Sequence, residues 1–195
     1  MMPNSPLNAL ASRLESIEAL DGPAGLAGRA VRELIPAGAA KDVLSGAWLG
    51  HALHPIMTDV PIGAWTSAVV LDWSGGKESR SAADRLILMG VLAAGATVAT
   101  GWSDWADAEQ GNAGVRRSGL VHAAANGTAT ALMIGSYLAR KRGARGRGRL
   151  LSLAGSAALG AGGWLGGHLS YTRGAGVTAA APADGMQATA APGLA

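Results

Sequence analysis

Four histidines are the residues of this sequence best suited to metal or haem chemistry. They are His51, His54, His122 and His168, and no cysteine accompanies them. A neutral imidazole can bind haem iron or a divalent metal through one ring nitrogen. The lack of cysteine excludes disulfides, zinc–thiolate sites, iron–sulfur clusters and covalently attached haem. Metal chemistry in this chain would therefore rest on histidine, with carboxylate or amide partners.

The composition indicates that membrane helices position these histidines. Hydrophobic residues make up 49% of the 195 residues and charged residues 15%, which excludes a disordered or charge-driven chain. Residues 86–103, 127–139 and 150–167 carry no charge, whereas a soluble amphipathic helix needs a polar stripe. We predict an all-α membrane protein with four transmembrane helices in an up-down bundle, and not a soluble helical bundle.

Each predicted span has roughly 18–22 residues, about 27–33 Å of helix, which matches the hydrocarbon core of a bilayer. The second and fourth spans are the cleanest, because Asp59 and two prolines weaken the first, and His122 and Asn126 interrupt the third. The four spans are predicted at residues 55–73, about 84–104, about 118–139 and about 150–171.

The segments on either side of the spans differ from them in composition. Residues 7–20 place five apolar side chains near one helical face, which predicts an amphipathic surface helix, and a second short helix is expected at about 22–34. No apolar run follows a basic start, so no signal peptide is expected. Residues 174–195 are mostly Ala, Gly, Pro and Thr and predict a disordered tail. Residues 1–47 then form a surface segment and 48–173 the transmembrane domain.

Basic residues set the predicted orientation. The net charge is +3, and six of the 16 Lys and Arg residues lie within residues 140–149. Together with three more around the loop between the first two spans, they place both short loops in the cytoplasm. Both termini should then face outward across a bacterial inner membrane, although Arg116 and Arg117 oppose this orientation. The 140–149 run lacks interleaved aromatic residues, so we expect it to meet the lipid bilayer and not nucleic acid.

All four histidines are predicted on the outward side of the bundle. Helices alternate in direction, so the starts of the first and third spans and the ends of the second and fourth share one side. His54, His122 and His168 lie 18–20 residues from the cytoplasmic ends of their spans, or roughly 27–30 Å. His51 lies about a turn further out. Other polar side chains belong to the same layer or to the turn beneath it: Asp59, Asp104 and Asn126.

Two cofactors fit such a layer. His54 and His122 lie on diagonal helices, where two opposed imidazoles can ligate the iron of a b-type haem, with His168 as a supporting or alternative ligand. Alternatively, all three histidines bind one divalent metal, with Asp59 or Asp104 nearby. In a third possibility no cofactor is bound, and the histidines only form hydrogen bonds between helices.

Pro61 should bend the first helix beneath this layer. It lacks the backbone donor for the Met57 carbonyl and crowds that group.

The six tryptophans lie mostly near the ends of the spans, as expected of a membrane-interface belt.

Residues 48–65 read WLGHALHPIMTDVPIGAW and open the first predicted span. This motif resembles a family of uncharacterised bacterial membrane proteins, the domain of unknown function numbered 2231. The family typically reads Gly-His-Pro-Leu-His-Pro and then Asp-Phe-Pro-Ile-Gly, with a later helix histidine and a Gly-rich last helix that ends near a histidine. Ala52 stands where proline is usual and Val60 where an aromatic is common, and the resemblance extends over roughly residues 40–175.

The resemblance implies a four-helix membrane unit, which in some chains is followed by a Rieske or cytochrome c domain. It therefore predicts a redox-associated membrane subunit or electron carrier more than an enzyme acting alone. Because this chain has no cysteine, an iron–sulfur partner would be a separate protein on the outer face. The alternative is a non-catalytic membrane anchor or assembly partner whose histidines are structural.

Overall fold

A computed structural model describes residues 5–176, which form helices joined by short connections and contain no strand. This confirms the all-α prediction. The predicted disordered tail lies outside the described residues from residue 177 onward. The α-helices in chain order are α1 (Pro6–Glu15), α2 (Asp21–Leu34), α3 (Ala39–Ser45), α4 (His54–Ser74), α5 (Arg80–Gly111), α6 (Ala113–Lys141) and α7 (Arg145–Gly167), followed by a π-helical turn at His168–Thr172.

The four long helices α4–α7 each pack against the next in sequence, and α7 also touches α4 along a less extensive seam. Short connections join them, so neighbouring helices run antiparallel and α4 lies diagonally opposite α6. Helix α4 begins and ends within one residue of the predicted span at 55–73. Helix α5 continues seven residues past Asp104, because its extension packs against α2 and α3.

Among residues 5–176, one helical stretch, Lys77–Gly111, is long and apolar enough to cross a membrane by length and composition. Only 28% of its most apolar part is buried within the protein, so most of that surface faces outward. The first, third and fourth predicted spans do not meet the same criterion. In α7 many glycines and serines dilute the leucines.

A buried tryptophan joins α4 to α5. Trp65 is 2% exposed, and its indole Nε1–H donates to the Ile87 carbonyl at 3.2 Å. Gly90 leaves the space for this ring, because a Cβ at that position would overlap the indole. Trp65 is therefore a core residue, and the prediction of an interface position is wrong for it. Trp48 and Trp73 are exposed, as that prediction expects.

A buried ion network joins all four long helices at the end remote from the histidines. The Arg140 side chain is fully buried and forms a bidentate pair with Asp72, in which Nη1 lies 2.9 Å from Oδ1. Its donors also reach Asp84 at 3.2 Å, Ser136 at 3.0 Å and Ser152 at 3.1 Å. A buried charge needs such compensation. Arg140, counted from the sequence as a loop charge, is therefore a core residue of this network.

Helices α1–α3 form a cap over the histidine end, where α5 turns into α6. The sequence did not predict α3, and α1 ends at Glu15, earlier than expected. Ion pairs hold the cap to residues of the α5–α6 turn: Arg32 with Glu109, Lys41 with Asp107, and Asp21 with both Arg116 and Arg117. The guanidinium of Arg117, and then that of Arg116, holds the pKa of Asp21 well below its usual range.

Replacing Gly90 by alanine should destabilise the α4–α5 pair, since the added methyl group overlaps the Trp65 indole. Overpacking of this kind typically costs about 1–3 kcal/mol. Gly95→Ala is the matched control on the same helix, because nothing lies within 4 Å of its Cβ position. Thermal unfolding in detergent, followed by circular dichroism, should give a lower midpoint for Gly90→Ala only. Equal midpoints for the two variants would contradict the close packing.

Asp21→Asn should loosen the cap at neutral pH. Because folding lowers the pKa of Asp21, its ion pairs stabilise the cap above the ordinary value of 3.8, and this contribution is lost as the pH falls below it. At pH 7 the hydrogen-exchange protection factors of α2 amides should therefore be severalfold lower in the variant than in the unaltered protein. At pH 3 this difference between the two proteins should be smaller. Glu33→Gln, at an exposed carboxylate of α2, is the control and should behave as the unaltered protein does.

Candidate histidine site

His54 is the first residue of α4, and its ring is anchored on α5. Its Nδ1 lies 3.0 Å from the Thr97 carbonyl and 3.2 Å from the Thr100 hydroxyl. A carbonyl oxygen only accepts, so this contact places the hydrogen on Nδ1 and leaves the lone pair of the neutral ring on Nε2. Gly101 gives the ring its room, since a Cβ there would lie 2.6 Å from the ring Cε1.

Pro61 is linked to this anchor through Thr97. The proline leaves the Met57 carbonyl without its partner in the helix. The single proton of the Thr97 hydroxyl is within reach of that carbonyl at 2.9 Å and of the Ala93 carbonyl of its own helix at 3.1 Å. The Thr97 carbonyl faces His54, so one threonine contacts both the carbonyl that the proline frees and the histidine ring.

His122 lies inside α6, and its ring is anchored on α7. Its Nδ1 lies 2.8 Å from the Gly162 carbonyl, which again leaves the lone pair on Nε2. Asn126 donates to the His122 carbonyl at 3.0 Å, and its Nδ2 lies 3.3 Å from Nε2 of the ring. Gly166 leaves space for the ring, since a Cβ there would lie 3.0 Å from its Cε1.

The rings of His54 and His122 approach each other across the diagonal of the four long helices. Their centroids are 6.4 Å apart and their planes are nearly perpendicular, at 82°. The structure therefore brings these two histidines together.

His168 does not join this pair. Its Nε2 lies 2.8 Å from a carboxylate oxygen of Glu15 in α1, and its ring stacks on Trp164. Arg173 donates to the same carboxylate at 2.8 Å. Partial burial raises the pKa of Glu15, but the hydrogen bonds from Arg173 and His168 outweigh it and hold the pKa below its ordinary value. His168 therefore attaches the cap to the end of α7.

The remaining predicted site residues lie around the pair without contacting it. His51 is exposed and its Nδ1 lies 3.1 Å from the Ala52 carbonyl. Asp59 is exposed on α4, and Asp104 is half-buried one turn beyond Gly101 on α5. Within residues 5–176, no three His, Asp or Glu side chains are grouped so that they could hold a metal ion. The structure therefore does not assemble the three-histidine metal group.

Sequence analysis missed the residues that hold the two rings. Thr97 and Thr100 lie in a clean apolar span, and hydroxyls there are usually satisfied within their own helix. Gly101 carried no signal of its own. Glu15 lies within the predicted amphipathic helix at 7–20, and nothing near it in the sequence indicates a histidine partner. Spacing along one chain could not show that these residues face histidines of other helices.

The sequence of this chain matches a known protein family. Residues 50–179 match the family described as predicted membrane protein (DUF2231), the same family that the opening motif resembles. This segment includes all four long helices and all four histidines, and the cap helices precede it. No curated protein and no solved structure matches the chain. Since the match covers more than half of its length, the chain belongs to the DUF2231 family of predicted membrane proteins.

Proposed function

We propose that this protein spans the membrane four times and holds a b-type haem between His54 and His122 as an electron carrier. The observation that carries the proposal is the pairing of two imidazoles, each with Nδ1 bonded to a backbone carbonyl of a neighbouring helix. Histidine ligands are normally oriented in this way, by a hydrogen bond from the ring nitrogen that does not bind the metal.

The distribution of side chains supports placement of all four long helices in a bilayer. Hydroxyl groups of Thr100, Ser136 and Ser152 are buried between the helices, where a soluble protein keeps apolar side chains. Large apolar side chains that are 39–70% exposed lie on the outside of every long helix: Ile56, Val60, Ile62, Val70, Met89, Leu92, Val98, Ile134, Leu138, Leu150 and Leu153. The helices have 21, 32, 29 and 23 residues, and about 20 are enough to cross the hydrocarbon core.

The number of protein ligands favours haem over a bare divalent ion. Zinc sites use three or four protein ligands, whereas the paired rings of His54 and His122 offer two. A haem would need only two ligands from the protein, which His54 and His122 would provide, because the porphyrin would supply the others. When bound, haem supplies reversible one-electron chemistry. The chain's own residues fix the two Nε2 atoms and provide glycine backbone at Gly101 and Gly166 beside the rings.

The basic loops favour an orientation with the histidine pair on the outer side of the inner membrane. Lys77, Arg80 and Arg85 lie around the α4–α5 connection and five more basic residues, apart from the buried Arg140, around the α6–α7 connection. Arg116 and Arg117, which oppose this orientation in the sequence, both pair with Asp21 of the cap. A redox partner would then be a separate protein that approaches the capped outer end.

A second candidate function is a non-catalytic anchor or assembly partner. The observation that favours it is the position of Asn126, whose amide lies close enough to Nε2 of His122 to satisfy that nitrogen without a metal. The two anchoring hydrogen bonds would then only hold α4 to α5 and α6 to α7. The haem spectrum of the purified protein separates the two candidates.

His54→Ala and His122→Ala should each abolish the reduced-minus-oxidised haem spectrum of protein expressed with ample haem. The loss of one axial imidazole leaves the iron with an open position and the macrocycle weakly held. His51→Ala is the matched control and should leave the spectrum unchanged, since that ring is exposed outside the pair. His168→Ala should retain haem, because its ring contacts Glu15 and Trp164. Added imidazole should restore the spectrum of His122→Gly if the variant folds.

A colourless unaltered protein would refute haem binding and leave the anchor function. If His168→Ala loses haem while His54→Ala retains it, the ligand pair is assigned wrongly. A metal inventory of the same preparation distinguishes haem iron from another bound ion.

Reporter fusions should place Gly76 and Gly143 in the cytoplasm and Gly111 and Gly176 outside. These glycines lie in or beside the connections between the four helices and after the last of them. The basic residues that flank the first two positions determine this orientation. The reverse pattern would place the histidine pair at the cytoplasmic side, and a uniform signal at all four positions would contradict the four spans.

A further inference from the structure

We propose that an anionic phospholipid binds at the seam between α4 and α7, at the end remote from the histidines. Its phosphate group would occupy a basic cavity, and its acyl chains would lie in an apolar groove beside that cavity. The proposal rests on the four-span placement above and is independent of haem.

The cavity has a volume of about 240 Å³, enough for a phosphate ester. Four cationic side chains line it: Lys77, Arg80, Arg145 and Arg149. The one carboxylate that lines it, Asp72, is already paired with Arg140 and Arg145. The cavity therefore presents a net positive charge to any ligand.

Three of the four cations are not engaged by acidic groups. Within residues 5–176, Lys77, Arg80 and Arg149 form no ion pair, whereas Arg145 contacts both Asp72 and Asp84. The Nε of Arg149 is buried and has no hydrogen-bond partner among the described residues. A phosphate group in the cavity would supply the negative charge that these three side chains lack.

The neighbouring groove is apolar and open to the outside. It has a volume of about 520 Å³ and is lined by Val69, Val70, Trp73, Ser74 and Leu153. Its walls are the outer faces of α4 and α7, the two neighbouring long helices that touch least. In a four-span arrangement this surface faces lipid.

Arg149 connects the cavity to the groove. Its guanidinium lies 4.5 Å from the Trp73 ring, so one residue of the cavity stacks on one residue of the groove. Leu153 follows Arg149 by one turn on the same face of α7 and lines the groove. The charged cavity lies at the membrane interface and continues into the apolar groove toward the bilayer centre. Together they are complementary in shape and polarity to a phospholipid.

A phospholipid fits both features, whereas free phosphate or a phosphorylated metabolite uses only the cavity. Basic recesses between membrane helices on the cytoplasmic side are established sites for anionic headgroups. The start of α7 adds to the attraction, because this 23-residue helix begins at Arg145 without a side-chain cap.

The experiment measures lipid retention by native mass spectrometry of the full chain in detergent. The protein is titrated with phosphatidylglycerol and with phosphatidylcholine of the same acyl chains, and the bound lipid is counted. We expect one retained phosphatidylglycerol at concentrations at which phosphatidylcholine dissociates. Arg80→Gln/Arg149→Gln should weaken retention on the order of tenfold or more. Arg142→Gln/Arg147→Gln removes the same charge from exposed positions of the same basic region and should change retention less than threefold.

A second measurement does not depend on charge variants. Phosphatidylglycerol with brominated acyl chains should quench the emission of Trp73, read as the difference between the unaltered protein and Trp73→Phe. Brominated phosphatidylcholine at the same mole fraction should quench this difference signal less. Glycerol 3-phosphate in equal amount should not displace the lipid.

Equal retention of both lipids, or equal loss in the two double variants, would overturn the proposal in favour of unspecific lipid or diffuse surface charge. Displacement by glycerol 3-phosphate would show that the cavity binds free phosphate esters and that the groove has no part. These outcomes leave the reporter fusions and the haem spectrum unaffected, so failure here is distinguishable from failure of the proposed function.

Discussion

The carbonyl that Pro61 leaves unpaired at Met57 constrains the histidine end of this protein. A carbonyl left free between packed helices is satisfied when a neighbouring helix supplies a donor. The Thr97 hydroxyl of α5 lies 2.9 Å from the Met57 carbonyl and 3.1 Å from the Ala93 carbonyl, so its proton is shared between α4 and its own helix. The Thr97 carbonyl and the nearby Gly101 face the His54 ring. One threonine of α5 therefore links the proline of α4 to the imidazole of the same helix.

The two ends of the long helices are held by charge and the middle by small residues. At one end Arg140 is buried with Asp72 and shares donors with α5 and α7. Removing one partner of such a pair costs about 3–5 kcal/mol, because the other charge is left buried. At the other end, Asp21 and Glu15 attach the cap through contacts with Arg116 and His168. Between them Gly90 allows α4 and α5 to meet across the Trp65 ring.

Three parts of the protein have different roles: the histidine pair, the attachment of the cap, and the basic cavity. The rings of His54 and His122 meet across the diagonal of the four helices. His168 instead serves the cap through Glu15, which explains why three histidines at one end form a pair and not a triad. The basic cavity near Arg149 belongs to the opposite end, where lipid headgroups are expected. Electron carriage and lipid binding would therefore act at different faces of the membrane.

The sequence by itself determined the helical class, the position of α4 and the end of the protein at which the histidines gather. These follow from hydrophobic runs, from Pro55 and from the alternation of helix direction, which are local or depend only on chain order. Tertiary structure decided the partners. The sequence predicts a loop charge at Arg140 and an interface residue at Trp65, whereas both are buried. Spacing along the chain does not show which face of a helix meets another helix. The tautomers of His54 and His122 likewise depend on carbonyls of Thr97 and Gly162, each about forty residues distant in sequence. Hydropathy sets which segments are helices, whereas hydrogen bonds between helices set which polar groups meet, because each buried donor must find an acceptor in three dimensions.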